Sequence, residues 1–180
     1  MELLLHMCCG PCTTASQEKF KELGYEVRGF FFNPNIHPYK EFKRRKETLR
    51  DYCRQEEIPL EIDDRYLLED FLRKTVYREQ NRCLFCYALR LGETARKARE
   101  KGIEIFSTTL LISPYQDHDL LKEVGEEMGN KYGVSFLYED LRPLFKDSVN
   151  MSKQRNMYRQ GYCGCIYSEK ERYYKKKGEG

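Results

Sequence analysis

Apolar and polar positions come in alternating blocks along this chain, short β-prone runs followed by longer stretches with helical spacing. Leu3 to His6 reads as a short buried strand, and Thr13 to Leu23 as a helix that Gly24 ends. Tyr25 to Phe32 is apolar and rich in strand-favouring residues, so it is the second strand expected. The turn-forming Asn33-Pro34-Asn35 separates it from a charged helix, about Pro38 to Gln55. Leu60 to Ile62 is a third strand and Tyr66 to Tyr77 a helix. A longer helix runs from near Cys83 to Lys101, where Gly102 stops it. Ile103 to Thr108 is the next strand, followed after Leu110 to Pro114 by a helix from Asp117 to Tyr132 and a strand from Val134 to Tyr138. The C-terminal part reads as helical from Ser148 to Arg159, breaks at Gly161 and resumes after Cys165. Strands alternating with helices predict an α/β fold, a parallel sheet with helices on both faces. Ligands of such sheets bind beyond the carboxyl ends of the strands. The loops after His6 and after Thr108 are therefore the places to look for chemistry.

The 180 residues suit one α/β domain, with a helical, cysteine-containing C-terminal segment. The net charge of +3 is too small to argue for nucleic acid by itself, so RNA binding needs a local patch. No apolar stretch approaches the roughly 20 residues of a membrane span. The opening MELLLHMCCGPC lacks the basic start of an export signal. A cytoplasmic protein without membrane contact is expected, and structural disulfides are rare there.

Eight cysteines in that setting point to metal or redox chemistry. Seven fall in three groups, Cys8–Cys9–Cys12, Cys83–Cys86 and Cys163–Cys165. Cys53 stands alone mid-helix and reads as core. The first group leaves a strand and enters a helix, with Gly10 for the tight turn and Pro11 for the first helical turn. A helix N-terminus favours thiolates, so the loop suits a metal or a reactive sulfur. Plain packing is the weaker reading for three cysteines in five residues. Cys83 and Cys86, three apart at a helix start, put both sulfurs on one side. Alone they fit zinc, an iron–sulfur cluster or a dithiol equally well. With the first loop they make up to five thiolates, and four suffice for a [4Fe–4S] cluster. Cys163-Gly164-Cys165 has two balanced readings, a strained and easily reduced disulfide or additional metal ligands.

The run Thr108 to Asp119 mixes hydroxyl, phenol, imidazole and carboxylate groups, which suits binding and proton transfer. Tyr115, Asp117 and His118 are its candidate catalytic residues, although Asp117 is also placed to cap the next helix. Lys40 to Arg50, with Asn33 to Tyr39 before it, reads either as a basic, aromatic RNA-binding surface or as an ordinary solvated helix face. The tail Arg172 to Lys177 repeats that pattern.

Five segments in order, HMCCGPC, FFNPNIHPYKEF, RCLFCYALRL, TTLLISPYQDHD and YRQGYCGCIYS, resemble the cobalamin-independent epoxyqueuosine reductases, the QueH family, from Leu3 to about Tyr167. The resemblance implies the last step of queuosine synthesis, reduction of epoxyqueuosine at the wobble position of tRNA. It implies a [4Fe–4S] cluster on Cys8, Cys9, Cys83 and Cys86 and a redox-active pair at Cys163 and Cys165. Cys12 and Asp117 are left as further metal ligands, with an additional iron open. It also implies an external electron donor. The fold implied is that of the adenine-nucleotide hydrolases, which includes tRNA-thiolating enzymes. Their S-G-G-x-D-S phosphate loop is replaced here by HMCCGPC, which argues against ATP use. The rival functions are a zinc-stabilised RNA-binding module without catalysis, an ATP-dependent tRNA-thiolating enzyme and a thiol–disulfide oxidoreductase.

Overall fold

A computed structural model describes residues 1–174. Its elements are β1 (Glu2–His6), α1 (Gly10–Glu22), β2 (Glu26–Phe31), α2 (Tyr39–Gln55), β3 (Leu60–Ile62), α3 (Leu68–Thr75), α4 (Arg82–Glu100), β4 (Ile105–Thr108), α5 (His118–Tyr132), β5 (Ser135–Phe136), α6 (Phe145–Gln154) and α7 (Ile166–Tyr173). Three short 3-10 turns, Glu79–Asn81, Thr109–Ile112 and Arg142–Leu144, join them.

The five strands are all parallel, in the order β3-β2-β1-β4-β5. β1 is central, and its Leu3-Leu4-Leu5 run is buried because helices cover both faces of it. The chain steps one way from β1 to β3 and the other way from β4 to β5. Right-handed crossovers therefore place α1 and α2 on one face and α4 and α5 on the other. The contacts agree: α1 packs against α2 and α6, and α4 against α5. The strand order reverses between β1 and β4, and this opens a crevice at their carboxyl ends. His6 pairs with Thr108 across that point, so Cys8 and Thr109 sit at its mouth.

The sequence-based elements are all present, with shifted ends. α1 begins at Gly10 rather than Thr13 because Pro11 occupies its first turn, which puts Cys12 on the helix. α6 begins at Phe145, after the Pro143 turn, and stops before Arg159, where Asn156 takes a left-handed conformation (φ 52°). α3 similarly ends at Thr75, two residues before Tyr77 (φ 62°). β5 is an edge strand of two residues.

Of the basic residues on α2, Arg45 alone leaves the surface. Arg45 is 1% exposed, while Lys43 pairs with Glu47 and Lys46 with Asp64. Asn33, Asn35, Ile36 and His37 are buried, leaving Tyr39 as the exposed aromatic of that stretch. Arg45 is interior because it holds the C-terminal cysteine loop, whereas Lys40, Lys43, Arg44 and Arg50 stay exposed. The basic tail from Arg172 runs past the described residues after Tyr174. Among the described residues no helix is long and apolar enough to cross a membrane.

Candidate metal and redox centre

The sulfurs of Cys8, Cys9 and Cys12 lie within 4.8 Å of one another, a grouping able to hold a metal ion. Cys8 and Cys9 come from the β1–α1 turn and Cys12 from the first turn of α1. Thr109, at the end of β4, fixes the loop: its Oγ1 accepts from the Cys8 amide (3.1 Å) and lies 3.4 Å from the Cys8 sulfur. One negative charge settles on Cys8, whose thiol is lowered well below its usual range by hydrogen bonds from Cys12 and Cys9, and further by Arg90. Burial holds Cys9 up at about 12, and the hydrogen bond with Cys8 raises Cys12. Gln160 donates its amide N–H to the Cys9 sulfur at 3.0 Å and stands 3.6 Å from Cys12. Its Oε1 is buried without a partner among the described residues.

Cys83 and Cys86 occupy the first turns of α4 and lie outside that three-sulfur grouping. They approach it through Arg90, one turn further along α4. Its Nη1 is 3.7 Å from Cys86 Sγ, its Nε 3.4 Å from His6 Nε2, and its Nη2 donates to Asn33 Oδ1 at 2.7 Å. Asn33 in turn donates to the Met7 carbonyl. A single guanidinium thus ties together the β1 loop, the turn after β2 and the C-x-x-C helix. His6 is neutral: burial first, then Arg90, push it down to about 3. Its Nε2–H donates to the Phe32 carbonyl (3.1 Å) and Nδ1 accepts from Thr108 (2.9 Å), so Arg90 Nε touches that nitrogen without a hydrogen bond. Burial raises Cys86 to about 11 and also raises Cys83.

All eight cysteines are free thiols, and Cys163 and Cys165 stand 3.8 Å apart. Cys163 is exposed and Cys165 buried. The Cys165 S–H donates to Cys163 and lowers it to about 5, and Cys165 is raised in consequence. The loop is clasped from below. Arg45 donates to the carbonyls of Cys163 and Tyr162, both at 3.0 Å, and its own charge is met by Glu41 at 2.6 Å. The His37 amide donates to the Gly164 carbonyl (2.8 Å), and the Tyr162 hydroxyl donates to the His37 carbonyl. Gly164 has φ +130°, and a Cβ there would meet Ile36, Arg45 and Asn35 at 3.1–3.2 Å. Only glycine fits this conformation and this space.

The Thr108–Asp119 run ends beside α4. The Tyr87 hydroxyl donates to Gln116 Oε1 (2.8 Å) and accepts from the Asp117 amide (3.3 Å). Asp117 caps α5 through Leu120 N, and its charge contributes to raising Cys83. His118 is buried, with Nδ1 at Tyr138 (3.2 Å) and Nε2 at the Ser113 carbonyl (3.1 Å). Tyr115 is 84% exposed and packs edge-on against Phe145. Arg45, Arg90, Gln160 and Thr109 are site residues that sequence reading placed elsewhere or passed over. Arg90 alone carried a signal, its i+4 spacing from Cys86.

A family model described as "Epoxyqueuosine reductase QueH" matches residues 3–171. Curated proteins of that name are 38% identical over 172 residues in Dehalococcoides mccartyi and 31% identical over 180 residues in Thermotoga maritima. The first alignment covers 96% of this chain and 94% of its relative, the second 94% and 91%. The chain belongs to the epoxyqueuosine reductase QueH family. A solved structure, a predicted subunit of tRNA methyltransferase from Methanocaldococcus jannaschii, superposes with a TM-score of 0.50 over 87% of this chain and 89% of the other. At 13% identity it speaks for the fold alone. The family is one of oxidoreductases, and the residues around Cys8, Cys9 and Cys12 suit a metal: clustered thiols, a donor to sulfur and two buried cations nearby.

Proposed function

We propose that this protein reduces epoxyqueuosine to queuosine in tRNA, at an iron–sulfur site in the crevice between β1 and β4. The observation that carries the reading is the buried Cys8–Cys9–Cys12 group at the carboxyl end of β1, with Cys86 joined to the same strand end through Arg90, in a chain whose residues 3–171 match the family model. Cys8, Cys9, Cys83 and Cys86 are the proposed holders of a [4Fe–4S] cluster. Cys12 and Asp117 are the remaining donors for an additional iron. Iron–sulfur chemistry supplies electrons at potentials that neutral side chains do not reach.

The reaction removes the epoxide oxygen as water and leaves an alkene, which takes two electrons and two protons. The chain's own share has three parts. Cys163 and Cys165, oxidised together to a disulfide, release two electrons and two protons, and an external donor restores the dithiol. The exposed Cys163 is the sulfur that donor reaches, since its thiolate persists down to about pH 5. Tyr115 and Asp117 front the loop beside Cys83 and are the proposed proton donors to the departing oxygen. His118 joins them through the same loop, whose Ser113 carbonyl it holds. Exposed Tyr39, Tyr77 and Tyr115 are suited to stack on unpaired bases around the substrate nucleotide.

Oxygen-free protein tests the reading directly. Iron and sulfide content with a visible absorption band, and conversion of epoxyqueuosine tRNA to queuosine tRNA with a chemical reductant, are expected. Colourless protein containing zinc and making no product would leave a zinc-stabilised RNA-binding module instead. Loss of absorption in Cys83→Ser assigns that sulfur to the ligand set, and full activity with full iron in Asp117→Asn removes Asp117 from both its roles.

A further inference from the structure

Arg90 is 3% exposed in the middle of α4, yet none of the ion pairs among the described residues includes it. Arg45 makes the contrast. It is equally buried, but Glu41 meets it at 2.6 Å. A buried cation without an anionic partner costs several kcal/mol. Arg90 touches an amide oxygen (Asn33), a neutral imidazole (His6) and a sulfur (Cys86). Of these only sulfur can become an anion, and His6 sits on β1, two residues before Cys8. We infer that Arg90 is the counter-charge of the sulfur site: its guanidinium, set between Cys86 and the loop that follows His6, offsets the site's negative charge and stabilises the extra negative charge that the site carries when reduced. This rests on the iron–sulfur reading above. Arg90 touches neither substrate nor reacting atoms in this arrangement, so it acts as a positioning residue. Hydrogen bonds and net charge around sulfur are known levers on reduction potential.

The test compares Arg90→Gln, Arg90→Lys and Asn33→Asp in iron-loaded protein by spectroelectrochemical titration, with iron content measured on each. Asn33→Asp leaves Arg90 in place but puts a carboxylate on Nη2, so it neutralises the cation without emptying the space. It also keeps the test alive should Arg90→Gln not fold. The expected result is a reduced-to-oxidised ratio about tenfold lower at a fixed potential in Arg90→Gln and Asn33→Asp, with iron retained and Arg90→Lys close to wild type. Equal potentials in all four proteins overturn the inference. So does equal loss of iron from Arg90→Gln and Arg90→Lys, which is the behaviour of a mere strut. If wild-type protein takes up no iron, the iron–sulfur reading fails on its own, and the charge is then read from the pH at which Cys86 alkylation is half-maximal in metal-free protein. A higher half-point in Arg90→Gln than in Arg90→Lys supports the inference, and equal half-points sink it.

Discussion

The two ends of the chain bring sulfur to the same crevice in opposite ways. Cys8, Cys9 and Cys12 are built into the sheet edge: two are buried, and the Cys8 amide and sulfur both contact Thr109. Cys163 and Cys165 ride on a loop with no strand beneath it, held by side chains and backbone from α2 and the turn after β2. The first arrangement excludes water and fixes geometry, which suits holding a group permanently. The second exposes one sulfur and buries the other, which suits a pair that must meet a partner and turn over. Electrostatics follows the division. The N-terminal sulfurs sit near an uncompensated cation, whereas the cation under the C-terminal loop already has its carboxylate.

Variants can break this contrast. Cys8→Ser or Cys9→Ser should remove both iron and turnover, measured by metal analysis and product formation, because each is a proposed holder of the cluster. Cys163→Ser should lower turnover to background while iron content stays at the wild-type level; retained turnover with the natural reductant would demote the pair. Arg45→Met strands the Glu41 carboxylate and frees the loop, so unfolding free energy should fall by about 3–5 kcal/mol in denaturant titration, with iron retained in the folded fraction. Gly164→Ala forces a side chain into a left-handed position and a filled space, and about 1–3 kcal/mol should be lost by the same measurement. The smallest effect is one of pH. In metal-free protein, alkylation of Cys163 should be half-maximal near pH 5, since its depressed pKa keeps the thiolate present above that value, whereas Cys9 and Cys86 should stay inert until about pH 11 to 12. A Cys163 half-point near the ordinary thiol value of about 8.5 would show that the pair does not share its proton as the geometry requires.

Much of this was readable in one dimension, for reasons particular to each feature. Strand–helix alternation is a local pattern, so the parallel sheet and its helices were legible, as was the clustering of seven cysteines. Glycine and proline punctuation locates most element ends, but the apolar spacing starts α1 at Thr13, three residues later than the Gly10 start that Pro11 permits. On α2 only Arg45 departs from the solvated or RNA-facing surface that the sequence allows. Lys43, Arg44, Arg45 and Lys46 look alike along a charged helix, and only the arrival of Tyr162 and Cys163 makes Arg45 interior.

Composition and spacing by themselves determined that this is an α/β protein with clustered cysteines, since both depend on residues near one another in the chain. The tertiary structure alone decided which sulfurs meet, which arginine is compensated and which loop the turn after β2 clasps. Those outcomes depend on the reversal of strand order between β1 and β4. Charge and burial are properties of the space shared by distant segments, and no stretch of sequence contains that space.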